Sequence, residues 1–583
     1  MKHLPILAFL FLLWACAEKQ PQGVFRAENS DLKVGEATPV RTLKQHVADT
    51  FRLDLDSGAF VYGYADQRTV DVALEIYGPD KVRVANFDSP ARGKEYFMFR
   101  TVKKGIHRMV VAPFEENTGE YSMMLNGAEP TAKDAEGTAD QYMRAMLGPD
   151  PNTPGATVAV EKDGKMILSK GYGYADLESD RKNTPTTIFH IASVSKQFTA
   201  FAIAMLADQG KLSLDDDIRK YLPELHDFGT VITINHLAHH TSGLRDQWNL
   251  LMMAGWRLDD VITREQILRL ISKQRELNFK PGDEYLYCNT GFTLMAEIVK
   301  RVTGESFADW TRKNIFDPLE MKNTLFYDDH EKVVKNRAYS YYRAGGINDH
   351  DPYKKSVLSY ANAGATSLFT TVEDLTKWAD NFETMKVGNA NVMKMMAQRF
   401  VLNKGDTIRY ALGQAYQKYK GLPSWSHGGG DAGYRTYLLR FPEQHLSISV
   451  FSNLGQFDPG SLAYLLADAV LADKLTPDKP SNVPPPPPGP AKVPFDPKTK
   501  LTDFEGTFYS EELETTYTFK VENDTLRSHH QRHDDQKLKP DTKDAFTMNY
   551  LGTVVFERDK AGKVTGFRAS NGRVRNLAFR KHG

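Results

Sequence analysis

The chain has 583 residues, too many for one hydrophobic core, so its length predicts several domains. Acidic and basic residues balance at 74 each, so no net electrostatic field would draw the protein to a charged polymer. The composition therefore argues against a nucleic-acid-binding protein and favours small molecules or neutral polymers as partners.

The first segment, residues 1–17, has the organisation of a secretory leader. Lys2 precedes an apolar run that is too short to span a bilayer. The run ends at Cys16 in a pattern that resembles a bacterial lipobox, whose cysteine is lipidated and becomes the mature amino terminus. The tripeptide Ala-Cys-Ala around Cys16 also fits an ordinary cleavage site. We expect a lipid anchor at Cys16 on the outer or inner membrane of the cell envelope, with a soluble periplasmic or secreted protein as the alternative.

Two segments follow the leader. Residues 18–38 are polar with little periodicity, which predicts a tether. Residues 39–128 alternate between apolar and polar positions and contain turn signals, which predicts a β-sandwich. This segment resembles the pre-peptidase domains found beside secreted bacterial hydrolases, and the resemblance implies a binding or spacing role.

Residues 134–475 are predicted to form an α+β domain. Asp163-Gly164 marks a hairpin near its start, and a second hairpin lies near its end. Between them are helical segments, two of which begin with the capping spacing at Thr263 and Ser306. Strands at both ends of one domain predict a single antiparallel sheet covered by helices.

The carboxyl-terminal part is separated by a proline-rich linker at residues 476–498, which contains five consecutive prolines. Residues 499–583 then alternate between short strands and turns, which predicts an up-and-down barrel of the lipocalin type. The predicted fold class is thus multidomain, with an α+β central domain flanked by an all-β sandwich and an all-β barrel.

Three short motifs in the central domain carry candidate chemistry. Ser193 and Lys196 are three positions apart, so a helix would place both on one face, close enough to share a proton. A serine hydroxyl is a poor nucleophile until a neighbouring group takes its proton. The triplets that begin at Tyr287 and at His427 follow in the chain, and Asn289 closes the first of them.

In this order the motifs resemble the Ser-x-x-Lys, Tyr-x-Asn and Lys/His-x-Gly set of the serine β-lactamase and penicillin-binding protein superfamily. The nearest branch contains class C β-lactamases, D-alanyl-D-alanine carboxypeptidases and esterases. The resemblance implies that Ser193 is the nucleophile and that Lys196 and Tyr287 form a coupled base. Which of these two carries the proton stays open. Asn289 would orient the lysine or the substrate amide.

The third motif, His427-Gly428-Gly429, is expected on the edge strand, where glycines let a substrate backbone approach. By resemblance, Gly429 contributes to substrate binding, and the amide of Gly430 pairs with that of Ser193 as an oxyanion hole. A histidine is only partly charged near neutral pH, so His427 would hold a substrate carboxylate less firmly than a lysine. This favours a peptidase, amidase or esterase over efficient β-lactam hydrolysis.

The resulting hypothesis is a cell-envelope serine hydrolase that forms an acyl-enzyme on small-molecule amides, esters or D-amino-acid peptides, with peptidoglycan fragments among the candidates. The alternatives are a sensor or penicillin-binding protein that is acylated without turnover, and an acyltransferase. No metal or organic cofactor is implied. The acids at 215–217 suit a helix entrance, and His529, His530 and His533 lack further recognisable ligands for zinc.

Overall fold

The computed structural model describes most of the chain: residues 24–25, 30–88, 93–114, 118–148, 150, 152–344, 352–476, 494–496 and 498–582. The leader with Cys16 and most of the proline-rich linker lie outside these residues. No helix in the described ranges is long and apolar enough to cross a membrane.

The amino-terminal module is a two-layer β-sandwich, as its alternating pattern predicts. One sheet has the order β1-β4-β9-β6-β7, with β2 also paired to β4, and the other has the order β3-β10-β5-β8. Apolar residues from both sheets form one core. The strands are β1 Val24–Phe25, β2 Ser30–Asp31, β3 Arg41–Leu43, β4 Val47–Leu55, β5 Ala59–Gln67, β6 Val72–Tyr77, β7 Arg83–Phe87, β8 Gly93–Arg100, β9 Gly105–Pro113 and β10 Gly119–Pro130.

The boundary between the predicted tether and the β-sandwich differs from the expectation. Strands β1 and β2 fall within residues 18–38, the predicted tether, yet both pair in parallel with β4. Val34 and Ala37 also make isolated bridges to β10. A two-residue strand has no periodicity that a sequence can show, and here the neighbouring sheet supplies the hydrogen bonds.

The central domain is built on an antiparallel sheet of order β12-β11-β23-β22-β21-β20, so strands from its two ends meet at the β11–β23 pair. The strands of the whole domain, of which β13 to β19 form small separate sheets, are β11 Ala156–Lys162, β12 Lys165–Tyr172, β13 Tyr174–Asp176, β14 Arg181–Lys182, β15 Phe189–His190, β16 Leu325–Phe326, β17 Tyr341–Arg343, β18 Tyr353–Lys355, β19 Leu368–Thr370, β20 Ala415–Tyr419, β21 Leu422–Asp431, β22 Tyr434–Phe441 and β23 Leu446–Ser452.

Helices cover both faces of this sheet. On one face, Val158 and Val160 share a core with α1 and α10; on the other, Ala159 belongs to the core built by α2, α6 and α8. The helices are α1 Ala135–Leu147, α2 Lys196–Asp208, α3 Ile234–Ala238, α4 Gln247–Met253, α5 Arg264–Ser272, α6 Asn289–Thr303, α7 Phe307–Thr311, α8 Val372–Thr384, α9 Ala390–Ala397 and α10 Pro459–Val470. Thr263 and Ser306 cap α5 and α7, as their spacing predicts.

The carboxyl-terminal module is a nearly closed nine-stranded antiparallel barrel. Successive strands pair, except that no β27–β28 pairing occurs in the described structure, and β24 pairs with β32 to bring the ends together. Phenylalanines, including Phe508, Phe519 and Phe567, fill the interior. The strands are β24 Gly506–Ser510, β25 Thr515–Glu522, β26 Thr525–His530, β27 His533–Lys537, β28 Lys539–Thr542, β29 Ala545–Met548, β30 Gly552–Arg558, β31 Val564–Asn571 and β32 Val574–His582. The predicted multidomain fold class is therefore confirmed.

The barrel is docked on the central domain through a buried ion pair. The Arg245 guanidinium is fully buried, and its Nη1 donates to Glu512 Oε2 at 2.7 Å. Its Nη2 donates to the carbonyl oxygen of Arg575 at 3.0 Å. Tyr517 of the barrel also donates its hydroxyl to the carbonyl of Met253, at the end of α4. These contacts fix the barrel beside the helices that surround the motifs.

We expect Glu512→Ala to weaken this docking strongly, because it leaves the buried Arg245 guanidinium with only the half-exposed Glu276 carboxylate, 3.4 Å from its Nη2, as a counter-charge. The expected cost is about 3–5 kcal/mol, measured as a shift of the first urea-induced transition. Glu514→Ala is the matched control, since Glu514 pairs with Arg269 at the surface and exposed pairs contribute about 0–1 kcal/mol. Equal shifts for the two variants would contradict the account.

Candidate active site

The candidate nucleophile lies on a strained turn. A 3-10 turn, Ala192–Ser195, leads directly into α2, and Ala192 has a φ of 47°, in the left-handed region that non-glycine residues rarely adopt. The turn is held because Ala192 N–H donates to His190 Nδ1 at 3.2 Å and Thr436 Oγ1 donates to the Ile191 carbonyl at 2.8 Å. Ser193, the residue after Ala192 in this turn, is half-buried.

The second serine of the motif has a different role. Ser195 is fully buried, and its Oγ donates to the Ala192 carbonyl at 2.5 Å. The same oxygen accepts a hydrogen bond from the Leu368 amide at 3.1 Å. Ser195 therefore ties the turn to β19, and Ser193 is the serine left available for reaction.

Lys196 lies beside Ser193, the candidate nucleophile, in a fully buried position. Its Nζ is 3.0 Å from Ser193 Oγ, 2.8 Å from Asn289 Oδ1 and 2.6 Å from the Ala365 carbonyl oxygen. Burial disfavours the ammonium form and lowers the pKa of Lys196 to about 7, although the Asp246 carboxylate opposes this shift. Near neutral pH the amine is thus able to take a proton from Ser193.

Asn289 is held in place by Asp246, which the sequence analysis did not select. The backbone N–H and Nδ2 of Asn289 both donate to Asp246 Oδ2, at 2.6 and 2.8 Å. The other Asp246 oxygen accepts from the Trp248 amide and caps α4. This arrangement turns Oδ1 of Asn289 towards Lys196. The cap position before α4 was the one sequence signal that could have identified Asp246.

Tyr287 completes the predicted base. Its hydroxyl is close enough to Ser193 for the serine to favour the ionised phenol, and the Lys196 Nζ lies 5.0 Å from the centroid of its ring. Burial raises the pKa of Tyr287 well above its usual value, against the lowering effects of Ser193 and of Arg573. The phenol is therefore protonated in the resting site, and Lys196 is the member of the pair that loses its proton near neutral pH.

His427 is uncharged near neutral pH, whereas the sequence predicted a partly charged histidine. Its Nδ1 lies 2.7 Å from the Gly428 carbonyl oxygen, a contact that requires a proton on Nδ1. Its Nε2 then accepts a hydrogen bond from the Tyr410 hydroxyl at 2.9 Å. Burial, reinforced by Lys196, lowers the pKa of His427 to about 3. This histidine therefore brings no positive charge to a substrate carboxylate.

The third motif lies on β21, which is the second strand of the sheet and not the expected edge strand, and its glycines extend beyond the end of the edge strand β20. β20 pairs with β21 only as far as Ser426, whereas β22 pairs with β21 along its length to Asp431. A Cβ on Gly429 would overlap the Ile191 carbonyl, so this glycine permits β21 to approach the nucleophile turn. A Cβ on Gly430 would meet only ordinary contacts. The pairing of the Gly430 and Ser193 amides as an oxyanion hole stays a prediction.

We expect Gly429→Ala to lower kcat/KM by at least about 10²-fold, because the added methyl group pushes the strand away from the turn that carries Ser193. Gly428→Ala is the matched control: its Cβ would lie 3.3 Å from the Tyr437 ring, which a small ring movement relieves. Steady-state kinetics on one amide substrate compares the two variants. An equal loss in both would contradict this role of Gly429.

One residue of the site comes from another domain. Arg573, in the turn between β31 and β32 of the barrel, has its guanidinium carbon 4.9 Å from the Tyr287 ring centroid. Its Nη1 lies 3.5 Å from Asp246 Oδ2. Nothing in the local sequence of the barrel indicates this role, because the contact depends on docking between segments almost 300 positions apart in the chain.

The histidines of the barrel are engaged in other contacts. His529 lies between Glu522 and Asp535, at 3.2 and 2.9 Å, and His530 Nε2 lies 2.8 Å from Thr515 Oγ1. The ring of His533 stacks on Tyr550. Within the part of the chain that the structure describes, no cluster of three or more His, Cys, Asp or Glu residues is arranged to hold a metal ion.

Comparison with known proteins gives the family. The model of the family described as Beta-lactamase matches residues 136–471, which is more than half of the chain. The chain belongs to the beta-lactamase family. The match falls on the domain that contains the three motifs, and the predicted resemblance to the serine β-lactamase and penicillin-binding protein superfamily is confirmed.

Several curated relatives share this region. A D-aminopeptidase of Gluconobacter oxydans (strain 621H) is 28% identical over 317 residues, which cover 54% of this chain and 59% of the relative. A D-aminopeptidase of Brucella anthropi is 27% identical over 300 residues, covering 52% and 56%. Protein flp of Staphylococcus aureus (strain MRSA252) is 28% identical over 317 residues, covering 52% and 60%. The chain thus spans less than two thirds of the length of these relatives.

Among solved structures, the D-amino acid amidase from Ochrobactrum anthropi SV3, in complex with L-phenylalanine, has a similar fold. The TM-score is 0.50 at 21% sequence identity, and the alignment covers 58% of this chain and 98% of the amidase. At this level of identity the comparison establishes the fold of the central domain.

Proposed function

We propose that this protein is a serine hydrolase that forms an acyl-enzyme at Ser193 with amides of D-amino acids or short peptides that begin with a D-amino acid. The observation that carries the proposal is the 3.0 Å separation of Lys196 Nζ and Ser193 Oγ in a site whose burial lowers the lysine pKa to about 7. The D-aminopeptidases among the relatives support the substrate class.

In the proposed reaction, Ser193 Oγ attacks the substrate carbonyl while neutral Lys196 takes its proton. The tetrahedral oxyanion is held by the amides of Ser193 and Gly430. Tyr287, which keeps its proton in the resting site, donates it to the departing amine and regains one from Lys196, so the base returns to its neutral form. Water then attacks the ester with the same groups in reverse order and releases the acid.

The lack of charge on His427 in the third motif argues against efficient β-lactam hydrolysis. The side chain of His427 is neutral and is hydrogen-bonded to Tyr410, so it offers no cation to the carboxylate that such antibiotics carry. An amide substrate without a carboxylate next to the scissile bond does not need that cation. This favours amino-acid amides over carboxylated lactams.

The proposal is tested with D- and L-alanine p-nitroanilide, a short ester and a chromogenic cephalosporin, each assayed with the full chain. We expect sustained turnover of the D-anilide, at least about 10-fold above the L-anilide in kcat/KM, and slow cephalosporin hydrolysis. Equal rates on the two enantiomers would overturn the D-amino-acid assignment. One equivalent of product without steady-state release would favour the acylated sensor.

We also propose that Cys16 anchors the protein by a lipid in the bacterial cell envelope, where D-amino-acid peptides and peptidoglycan fragments are potential substrates. The charged start, the short apolar run and the cysteine after it support the proposal. Metabolic labelling with an alkyne fatty acid should mark the wild-type protein and not Cys16→Ala. Unlabelled wild-type protein in the medium would instead support cleavage at the Ala-Cys-Ala site.

A further inference from the structure

The turn between β31 and β32 is fixed against the catalytic domain on both sides of Arg573. Asn278 Nδ2 donates to the Arg573 carbonyl at 2.8 Å, and Asn278 Oδ1 accepts from the Arg575 amide at 2.8 Å. Gly572 has a φ of 55°, and a Cβ there would come within 2.9 Å of the Asn249 side chain on α4. The position of the Arg573 side chain is therefore set by the docked backbone.

The guanidinium of Arg573 points into the site. Its side chain is 17% exposed, and the charge lies between the Tyr287 ring and the Asp246 carboxylate. Asp246 Oδ2 also accepts both N–H groups of Asn289, whose Oδ1 contacts Lys196. A continuous set of polar contacts thus joins the barrel to the amine that is proposed to act as the base.

The charges around that amine show what Arg573 contributes. Asp246 is a fully buried carboxylate, and its field favours the ammonium form of Lys196. The Arg573 cation opposes this field, because it disfavours a second positive charge nearby. Without Arg573, Asp246 would act on Lys196 with no compensating charge. The guanidinium also favours loss of the proton from Tyr287, whose ring it covers.

The other ionisable groups near the base contribute less charge. Burial lowers the pKa of both His240 and His427, so both are neutral, and it raises the pKa of Tyr285 and Tyr410, so both keep their protons. Two further acidic groups act on Lys196: Asp431, at the end of β21, whose pKa burial raises to about 7, and the Cys288 thiol, whose pKa burial raises to about 12 so that it keeps its proton.

From this placement we infer that Arg573 is a positioning residue for the Lys196–Tyr287 base, so that the barrel supplies one side chain of the active site. Arg573 offsets the Asp246 carboxylate and holds it where it orients Asn289. The inference rests on the proposed function, because it concerns the base of that reaction. It also assigns a role to a domain that has no catalytic motif of its own.

The test is the pH dependence of kcat/KM for Arg573→Gln, Arg573→Lys and Arg575→Gln, measured on full-length protein with the best amide substrate. Arg575 is the matched control, since it is two residues away and pairs at the surface with Glu284 at 3.0 Å. We expect Arg573→Gln to move the acid limb upward by about one pH unit and to lower kcat/KM at pH 7 by about 5-fold, with recovery at high pH. Arg573→Lys, which keeps a positive charge, should leave the limb close to its wild-type position, and Arg575→Gln should not move it.

A loss in Arg573→Gln that is equal at every pH would indicate a purely structural role and overturn the inference, as would an unchanged profile. Either outcome leaves the proposed function intact, because the wild-type enzyme still turns over. Failure of the wild-type protein to hydrolyse any substrate or to react with a fluorophosphonate would instead overturn the proposed function, and this inference with it. Urea unfolding midpoints of the three variants show whether the barrel stays folded.

Discussion

Replacing Ser193 by alanine is expected to lower kcat/KM on a D-amino-acid amide by at least about 10⁴-fold, because no other group in the site can form the acyl-enzyme. Ser193 is the half-buried hydroxyl next to Lys196 Nζ, at 3.0 Å. The change removes one oxygen atom and keeps the backbone amide that is predicted to serve in the oxyanion hole. Substrate binding should therefore change little, and the loss should appear mainly in kcat.

Ser195→Ala is the matched control for this prediction. Ser195 is buried and bonded to the Ala192 carbonyl and the Leu368 amide, so its removal lowers stability without removing the nucleophile. The Ser195 variant should still be labelled by a fluorophosphonate at Ser193. If Ser193→Ala remained labelled while Ser195→Ala did not, the two roles would have to be exchanged.

Replacing Lys196 by methionine is expected to lower kcat/KM by about 10³- to 10⁴-fold and to abolish the acid limb of the pH profile. In the wild-type enzyme activity should rise as the pH increases through about 7, because the ammonium form of Lys196 cannot accept the Ser193 proton. Below this pH the amine is protonated and the reaction slows about 10-fold for each pH unit. Methionine fills a similar volume but has no amine that could accept the Ser193 proton.

Lys211→Met, which changes an exposed lysine just after α2, is the control for the general effect of removing a positive charge. It should leave both the rate and the position of the limb unaltered. If the acid limb persisted in Lys196→Met, another group would be responsible for it, and Tyr287 would become the candidate base.

Much of the fold follows from local sequence patterns. Val72, Leu74 and Ile76 alternate as the sandwich requires, and Thr263 begins α5 with the capping contacts that its spacing predicts. The sheet of the central domain follows from strands at both ends of its sequence. The short strands β1 and β2 were missed because two residues carry no period; their pairing comes from the neighbouring β4.

The residues of the candidate site also include some that the sequence predicts and some that it does not. Ser193, Lys196 and Asn289 come together as the spacing and the family resemblance predict, and Tyr287 lies beside them. The charge of His427 was not predictable in full, because it depends on burial and on a hydroxyl 17 positions away. Arg573 was not predictable at all, since its place depends on how the barrel docks.

The most direct test of the account is the rate at which a fluorophosphonate reacts with the wild-type protein as a function of pH, followed by peptide mapping of the adduct. This single step needs only the nucleophile and its base. The account predicts one adduct, on Ser193, and a rate that rises through about pH 7 as Lys196 loses its proton. An adduct on another residue, or a rate that does not change between about pH 5 and pH 9, would contradict it.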